Sequence, residues 1–169
     1  VGEAVSNTLS EYNVMNEKNY TIISGLTGHC LDKDTIHASP SIPNYANAID
    51  KKLVGRAFAV EPFVTTGSGE IYEGEGGGIY ALQNESGRVR DRDSREILKY
   101  IIETYKTRPF CERWLHAQGF KKIKFTLKEL TNQGIIHHYP LLIEKTKAPV
   151  SQMEHSFIVT EDEAVCITG

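Results

Sequence analysis

Residues 28–62 read GHCLDKDTIHASPSIPNYANAIDKKLVGRAFAVEP, and residues 152–155 read QMEH. Together the two stretches contain four side chains that bind or work beside hard divalent metal ions: His29, His37, Glu61 and Glu154. Each of the four lies in a run of residues typical of a β-strand. If these strands are neighbours in one sheet, the side chains converge on one pocket, and the rest of the chain is scaffold for that pocket or a module inserted into it.

Taken singly, each residue also fits a structural role, because a lone histidine often only makes a hydrogen bond and a strand glutamate usually faces solvent. Glu61 is harder to explain in this way, since Phe58 to Val60 precede it and Pro62-Phe63 follow it. A carboxylate buried in such surroundings requires a counter-charge or a metal ion. Successive strand residues point to opposite faces, so Glu154 and His155 cannot both enter one site, and we select Glu154.

The composition is that of a globular chain with one core, or one core plus a small module: 169 residues, 40% apolar and 24% charged. No run approaches the ~18 to 20 consecutive apolar residues that a membrane span requires. The three cysteines, Cys30, Cys111 and Cys166, are odd in number and far apart. They favour reduced thiols over a disulfide framework. We therefore predict a cytoplasmic protein without membrane contact.

The hydrophobic pattern predicts a mixed α+β chain. Helical spacing from Val1 to about Val14 predicts an amphipathic helix, and His37 to Pro43 contains too many prolines for a helix and is expected to form an extended edge. Strands are predicted at Tyr20–Leu26, Leu53–Phe63, Ile79–Leu82 and Met153–Val159.

The character of the chain changes after Asn84. Helices are predicted at Ser94–Thr107, with Asp93 or Ser94 as N-cap, after Pro109, and at Thr126–Asn132; a hairpin of Ile135–Tyr139 and Leu141–Glu144 follows. Residues 85–146 carry 13 Lys and Arg against 8 Asp and Glu, a net charge of +5, whereas the remainder carries 6 against 14, or −8. We predict a winged-helix-like insert at 85–146 within a sheet domain of residues 1–84 and 147–169, which the resemblance described next implies is a catalytic half-domain.

Five short motifs together resemble a known family. They are Gly28-His29, His37-Ala38 after seven intervening residues, Ile42-Pro43-Asn44, Ala59 to Phe63, and Gln152-x-Glu154-His155. The combination is similar to type 2 methionine aminopeptidases of the archaeal and eukaryotic kind, and the likeness extends over the whole chain. The position and length of the insert distinguish type 2 from type 1. The resemblance implies an α+β fold that is the C-terminal half of a pita-bread domain, with an inserted winged-helix-like helical subdomain.

The resemblance also implies roles for the selected residues. His29 would be a ligand of one metal ion, Glu154 would bridge two, and Glu61 would be a ligand that also handles a proton. His37 would contact the scissile amide or the tetrahedral intermediate. Two divalent cations (Co, Mn, Fe or Zn) would support the removal of methionine from peptides in which a small residue follows it. Phe58, Ile42 and Tyr45 are candidates for the pocket walls that bind substrate.

The match to the family is incomplete. The family has five ligands, two of which are closely spaced aspartates in the first half of the fold, and no aspartate precedes His29 here. We therefore expect the chain to pair with an N-terminal half, either a separate polypeptide or the rest of a cut chain. Val1 as first residue fits such a cut and fits equally the removal of an initiator methionine. A smaller departure is Ser39-Pro40 after His37-Ala38, where the family usually has glycine and a polar residue.

Two other classes compete with this interpretation. A non-catalytic pita-bread relative could bind RNA, the ribosome or protein partners, and the basic insert would suit phosphate contacts, although a modest lysine excess is often only a solvated surface. The retained His29, Glu61 and Glu154 favour the enzyme, whose partners would be its peptide substrates and the ribosome. A proline-specific dipeptidase would keep similar ligands, but the helical insert argues against it.

Overall fold

The computed structural model describes residues 1–85, 87 and 89–169 of the chain. In chain order the elements are α1 (Gly2–Asn16), β1 (Thr21–Ile22), β2 (Thr27–Asp32), β3 (Thr35–Pro43), β4 (Ala57–Val60), β5 (Phe63–Thr65), β6 (Ile71–Leu82), α2 (Arg92–Thr104), β7 (Phe110–Cys111), α3 (Glu112–Ala117), α4 (Ile123–Asn132), β8 (Ile136–Glu144), β9 (Val150–Gln152), β10 (His155–Val159) and β11 (Ala164–Cys166). They form two units, Val1–Glu73 with Leu142–Gly169, and Gly74–Leu141.

The first unit is built on a five-stranded antiparallel sheet with the order β11-β10-β4-β2-β3. Cys30, Phe58 and Phe157 are cross-strand partners, so their side chains point to the same face. On that face Phe58 stacks on Phe157, with 5.6 Å between the ring centroids, and Ile42 completes a buried apolar cluster. The apolar alternation of β4 therefore places the core on one face of the sheet and leaves the other face for His29 and Ala59.

A smaller sheet, β1-β5-β9, continues the pairing of β4 with β10. The register runs from Ala57 opposite Ile158 to Val60 opposite His155, and it resumes unchanged with Phe63 opposite Gln152. Pro62 lies in the gap, where it cannot donate a ladder hydrogen bond, although the Met153 N–H approaches its carbonyl oxygen at 3.5 Å. One continuous antiparallel ladder is therefore interrupted at this point, and the shared register places Glu61 opposite Glu154 in the interruption.

The second unit, Gly74–Leu141, has its own core. Side chains of α2, α3 and α4 meet in it, and its fully buried aliphatic residues include Ile97, Ile101, Leu115, Leu127 and Leu130. A three-stranded sheet with the order β7-β6-β8 accompanies the helices. Asp91 begins α2 as its N-cap, because its carboxylate accepts a hydrogen bond from the Ser94 N–H at 2.9 Å.

Several sequence-based expectations are confirmed and others are wrong. The first helix, the extended edge that contains His37, and the mixed α and β content are as predicted. The strand predicted at Leu53–Phe63 is two strands, because the chain breaks at Glu61-Pro62. The hairpin predicted after α4 is wrong, since β8 runs without interruption through Pro140. The second unit begins and ends earlier than the predicted insert at 85–146. No helix in the described ranges is long and apolar enough to cross a membrane.

The Glu144 carboxylate joins two loops of the first unit. It is 3% exposed, and its Oε1 accepts hydrogen bonds from the Ser68 N–H and hydroxyl, both at 2.7 Å. Its Oε2 accepts from the Thr146 N–H at 2.7 Å, the Thr146 hydroxyl at 2.6 Å and the Ala148 N–H at 3.1 Å. A Cβ on Gly67 would collide with this carboxylate. We call Glu144 and these partners the Glu144 clasp.

The clasp predicts a pH dependence of stability. The hydrogen bond from the Thr146 side chain, with those from Ser68 and Ala148, lowers the pKa of Glu144 from 4.5 to about 2. Because the folded-state pKa is depressed, the stabilisation is complete above pH 4.5 and is lost as the pH falls toward 2. Glu144→Gln should lower Tm by several degrees at pH 7 and by progressively less below pH 4.5. Thermal unfolding of both proteins from pH 2 to 7 tests this, and a gap in Tm that stays constant would contradict it.

Candidate active site

His29 and Glu61 form the centre of the candidate site. β2 carries His29 and pairs with β4, so that His29 lies opposite Ala59 and close to Glu61, which follows β4. The His29 Nε2 is 3.3 Å from the Glu61 Oε1, and the two side chains are 10% and 15% exposed. The Nδ1 of His29 lies 3.3 Å from the Cys30 carbonyl oxygen. Since that oxygen can only accept, this contact is a hydrogen bond in the tautomer whose proton is on Nδ1, and Nε2 then faces the Glu61 carboxylate with a lone pair that can bind a proton or a cation.

Glu154 adds a second carboxylate. The shared register of β4–β10 and β5–β9 places it directly opposite Glu61 across the gap at Pro62. Like charges directly opposite in a sheet are destabilising. The Gln152 amide lies between them, donating to the Glu154 Oε2 at 3.4 Å and also to Glu61. The pair therefore attracts positive charge, and one amide donor partly satisfies it.

The surroundings shift the pKa of Glu61 upward. Burial is the main cause, and the neighbouring Glu154 raises the pKa further, whereas His29 and the hydrogen bond from Gln152 lower it. The Glu61 main chain is held as well, because the wholly buried Asn44 donates from its amide to the Glu61 carbonyl oxygen at 3.1 Å. A fixed carboxyl group with a raised pKa is suited to taking up and releasing a proton.

His37 reaches the same place from the edge strand. Its ring meets the His29 ring edge-on, with 4.6 Å between centroids. Partial burial and then the nearby His29 lower the pKa of His37, against a smaller opposite effect of Glu154. The register of β2 with β3 shifts between His29 and Cys30, so that Ser39 and Pro40 have no ladder partners. Such bulges change the direction of side chains beside active sites. The lowered pKa favours the uncharged form of His37.

An open cleft of about 440 Å³ contains His29, His37 and Glu61, a size within the range of small-ligand sites. Its walls are not those that the sequence suggested. Phe58 and Ile42 are buried in the core on the opposite face of the sheet, and Tyr45, 40% exposed, does not line the cleft. The cleft is instead lined by residues that the sequence analysis missed, including Leu26, Thr27, Phe63 and Leu142.

The signals for the missed residues differ. Gln152 is part of the QMEH stretch and could have been selected as a polar residue two positions before Glu154. No sequence pattern indicates that Leu142 lines the cleft, because the whole second unit separates it from Phe63 in the sequence. His155, the residue rejected in favour of Glu154, lies elsewhere: its Nδ1 is 2.9 Å from the Thr168 carbonyl oxygen.

The candidate metal ligands of this chain could form only part of a metal site. Imidazole and carboxylate are ligands suited to Mn, Fe, Co or Zn, and His29, Glu61 and Glu154 supply both kinds. Within residues 1–85, 87 and 89–169, however, no group of three or more His, Cys, Asp or Glu side chains is arranged to hold a metal ion. From the sequence, His29, Glu61 and Glu154 are expected to be three of five ligands, and further donors would be needed to close the site.

Solved structures with the same architecture identify the fold. A thermophilic Arx1 superposes on 88% of this chain with a TM-score of 0.73 and 23% identity, and the chain covers 41% of it. A methionine aminopeptidase from Rickettsia prowazekii aligns over 99% of the chain with a TM-score of 0.50 and 18% identity, and 42% of it is covered. The architecture is that of the pita-bread proteins, of which this chain represents a part.

Curated proteins of similar sequence are methionine aminopeptidases. A methionine aminopeptidase of Archaeoglobus fulgidus is 38% identical over 99% of the chain, one of Saccharolobus solfataricus is 33% identical over 92%, and methionine aminopeptidase 2 of Candida albicans is 31% identical over 99%. No protein-family model matches. The chain is similar in sequence to these methionine aminopeptidases over almost its entire length. It spans 54%, 52% and 39% of these three relatives, about half or less of each.

Proposed function

We propose that this chain is the C-terminal half of a metal-dependent methionine aminopeptidase, which removes the N-terminal methionine from proteins and peptides. The observation that carries the proposal is the Glu61–Glu154 pair beside His29. Two carboxylates opposite each other and an imidazole nitrogen 3.3 Å from one of them form a site that favours a bound cation. Divalent metal ions, when bound, would lower the pKa of a shared water and stabilise the negative charge of the attacked carbonyl group.

The chain's own residues would perform the remaining steps. Glu61, with its raised pKa, would accept a proton from the attacking water and return it to the leaving amine. His37, kept uncharged at the rim, would hydrogen-bond the peptide group next to the methionine. Phe63 and Leu142 of the cleft wall would exclude water and contact the methionine side chain, and a small second residue would leave room for His37.

The proposal also includes an N-terminal half that completes the active site. The chain covers 54% of the relative from Archaeoglobus fulgidus, and its own donors do not close a metal site. Apolar side chains on α1 are exposed to solvent, among them Val14 at 81% and Met15 at 75% exposure. Such exposure is expected of a surface that a partner covers. We infer that an N-terminal half, separate or cleaved, supplies two aspartate ligands and covers this surface.

The experiment is an assay of methionine release from a Met-Ala-Ser peptide with cobalt or manganese added. The chain alone is expected to release little methionine, whereas the chain combined with the N-terminal half of the relative from Archaeoglobus fulgidus is expected to be active. Efficient release by the chain alone would contradict the need for a second half. A folded complex that binds the peptide yet releases no methionine would contradict the enzymatic function.

A non-catalytic role in binding RNA is the second candidate. It is supported by α4, on which Phe125 is 58% exposed between the exposed Lys124 and Lys128, since lysines and open aromatic rings together suit single-stranded nucleic acid. The likeness to Arx1 shows that the fold is shared with proteins not named as aminopeptidases. Salt-dependent RNA binding that is lost in Phe125→Ala, without methionine release by the completed protein, would favour this alternative.

A further inference from the structure

Glu144 is a buried carboxylate to which the proposed chemistry gives no role. It is 3% exposed, and among the described residues its partners are the neutral donors of Ser68, Thr146 and Ala148. The adjacent Lys145 does not neutralise it, because the Lys145 ammonium is paired with Glu70 at 2.7 Å. Burying a charged carboxylate costs free energy even when five neutral donors satisfy it. The position of Glu144 in the fold indicates a structural role that accounts for this cost.

The clasp lies at one end of the β5–β9 ladder. Ser68 follows β5 after a short loop, and Thr146 to Ala148 lead directly into β9. A second link closes the same end: the wholly buried Thr65 donates from its hydroxyl to the Pro149 carbonyl oxygen at 2.9 Å and accepts from the Gly67 N–H at 3.0 Å. Glu144 therefore holds together the two chain segments that enter and leave the ladder.

The other end of that ladder is the candidate site. The pairs run from Thr65–Val150 to Phe63–Gln152, and continuing the register leads to Glu61 opposite Glu154. β5 and β9 have only three residues each, and all three residues of β9 are exposed. β5 pairs with β1 over only two residues, so this small sheet gains little stability of its own, and it also has to hold two like charges opposite each other. It requires a fixed end, which the clasp supplies.

We propose that Glu144 is a positioning residue: by clasping the loops beyond Thr65 and Val150, it sets the register in which Glu61 and Glu154 face each other. The proposal deepens the proposed function by adding a support to its carboxylate pair. It concerns the geometry of the pair, however, so it can be tested without any enzymatic assay. The depressed pKa of Glu144 is consistent with a carboxylate that stays charged in this role.

Hydrogen–deuterium exchange measured by mass spectrometry tests the proposal. In Glu144→Gln, an amide N–H₂ replaces one carboxylate oxygen and faces donors instead of accepting from them. Peptides that cover β5 and β9 should exchange about tenfold faster or more, whereas the increase in those that cover β4 and β10 should be clearly smaller and no greater than the lower Tm of the variant explains. Unchanged exchange in β5 and β9 would overturn the proposal, and so would an equal increase in all four strands, which would indicate only a loss of global stability.

Three further variants sharpen the result. Glu70→Gln is the matched control, because it removes a neighbouring exposed carboxylate whose partner is Lys145, and it should leave exchange unchanged. Glu144→Asp keeps a charged acceptor and should restore part of the protection lost in Glu144→Gln. If Glu144→Gln does not fold, Ser68→Ala decides instead: faster exchange confined to β5 and β9 supports the proposal, and no change or a uniform change overturns it.

The same variants separate this proposal from the proposed function. Local loosening of β5 and β9 in a protein whose completed form releases no methionine would leave the role of Glu144 standing and count against the enzyme. Methionine release by the completed protein, with β5 and β9 unaffected in Glu144→Gln, would count only against the role of Glu144.

Discussion

Glu61→Gln is expected to lower methionine release by the completed enzyme about 100-fold or more, in the range typical of a lost general acid–base group. Glutamine keeps the size of the side chain but can neither hold the negative charge beside His29 nor accept a proton. Because the Glu61–Glu154 repulsion disappears at the same time, the variant should be no less stable than the parent. Release of methionine from Met-Ala-Ser measures the first effect, and urea unfolding measures the second.

Glu70→Gln serves as the control, since Glu70 is a carboxylate of the same unit that is 64% exposed in its side chain and pairs only with Lys145 among the described ion pairs. It should retain the activity of the parent. A Glu61→Gln enzyme with nearly full activity would remove Glu61 from the chemistry. It would leave the sequence similarity, the fold and the aminopeptidase activity intact, and another group would have to transfer the proton.

The local motifs of the site could be predicted because each depends on a few adjacent residues. His29, His37 and Glu61 lie within 28–62, and the structure brings their side chains to one cleft. Strand alternation predicts that only one of Glu154 and His155 enters the site, and Glu154 is the one whose charge affects the pKa of both Glu61 and His37. Whether these residues bind metal or substrate remains a prediction.

What could not be predicted depends on contacts between distant residues. Phe58 is a pocket-wall candidate in the sequence, but its cross-strand partner Cys30 places it on the core face. Leu142 enters the cleft only because β8 returns to the first unit after the inserted helices. The break at Pro62 has a local cause, yet its consequence, two carboxylates opposite each other, requires the register of β9 and β10.

Gly28→Ala is expected to destabilise the protein by about 3 kcal/mol, at the upper end for overpacking, and to separate His29 from Glu61. A Cβ at position 28 would overlap the carbonyl oxygen of Ala59, which is backbone and cannot turn aside as a side chain could. β2 and β4 would have to move apart at the point where they carry His29 and lead into Glu61. Urea unfolding measures the cost in stability.

Gly25→Ala is the matched control, because a Cβ there meets only the Ile71 side chain at 3.6 Å, an ordinary contact. It should cost less than about 1 kcal/mol, within the range of a tolerated substitution. The two variants add the same methyl group, which meets backbone at the buried Gly28 and only a side chain at the exposed Gly25. If Gly28→Ala were as stable as Gly25→Ala, β2 and β4 could not be as close as the His29–Glu61 distance of 3.3 Å requires. The arrangement of the candidate site around these two strands would then be wrong, whatever the chemistry it supports.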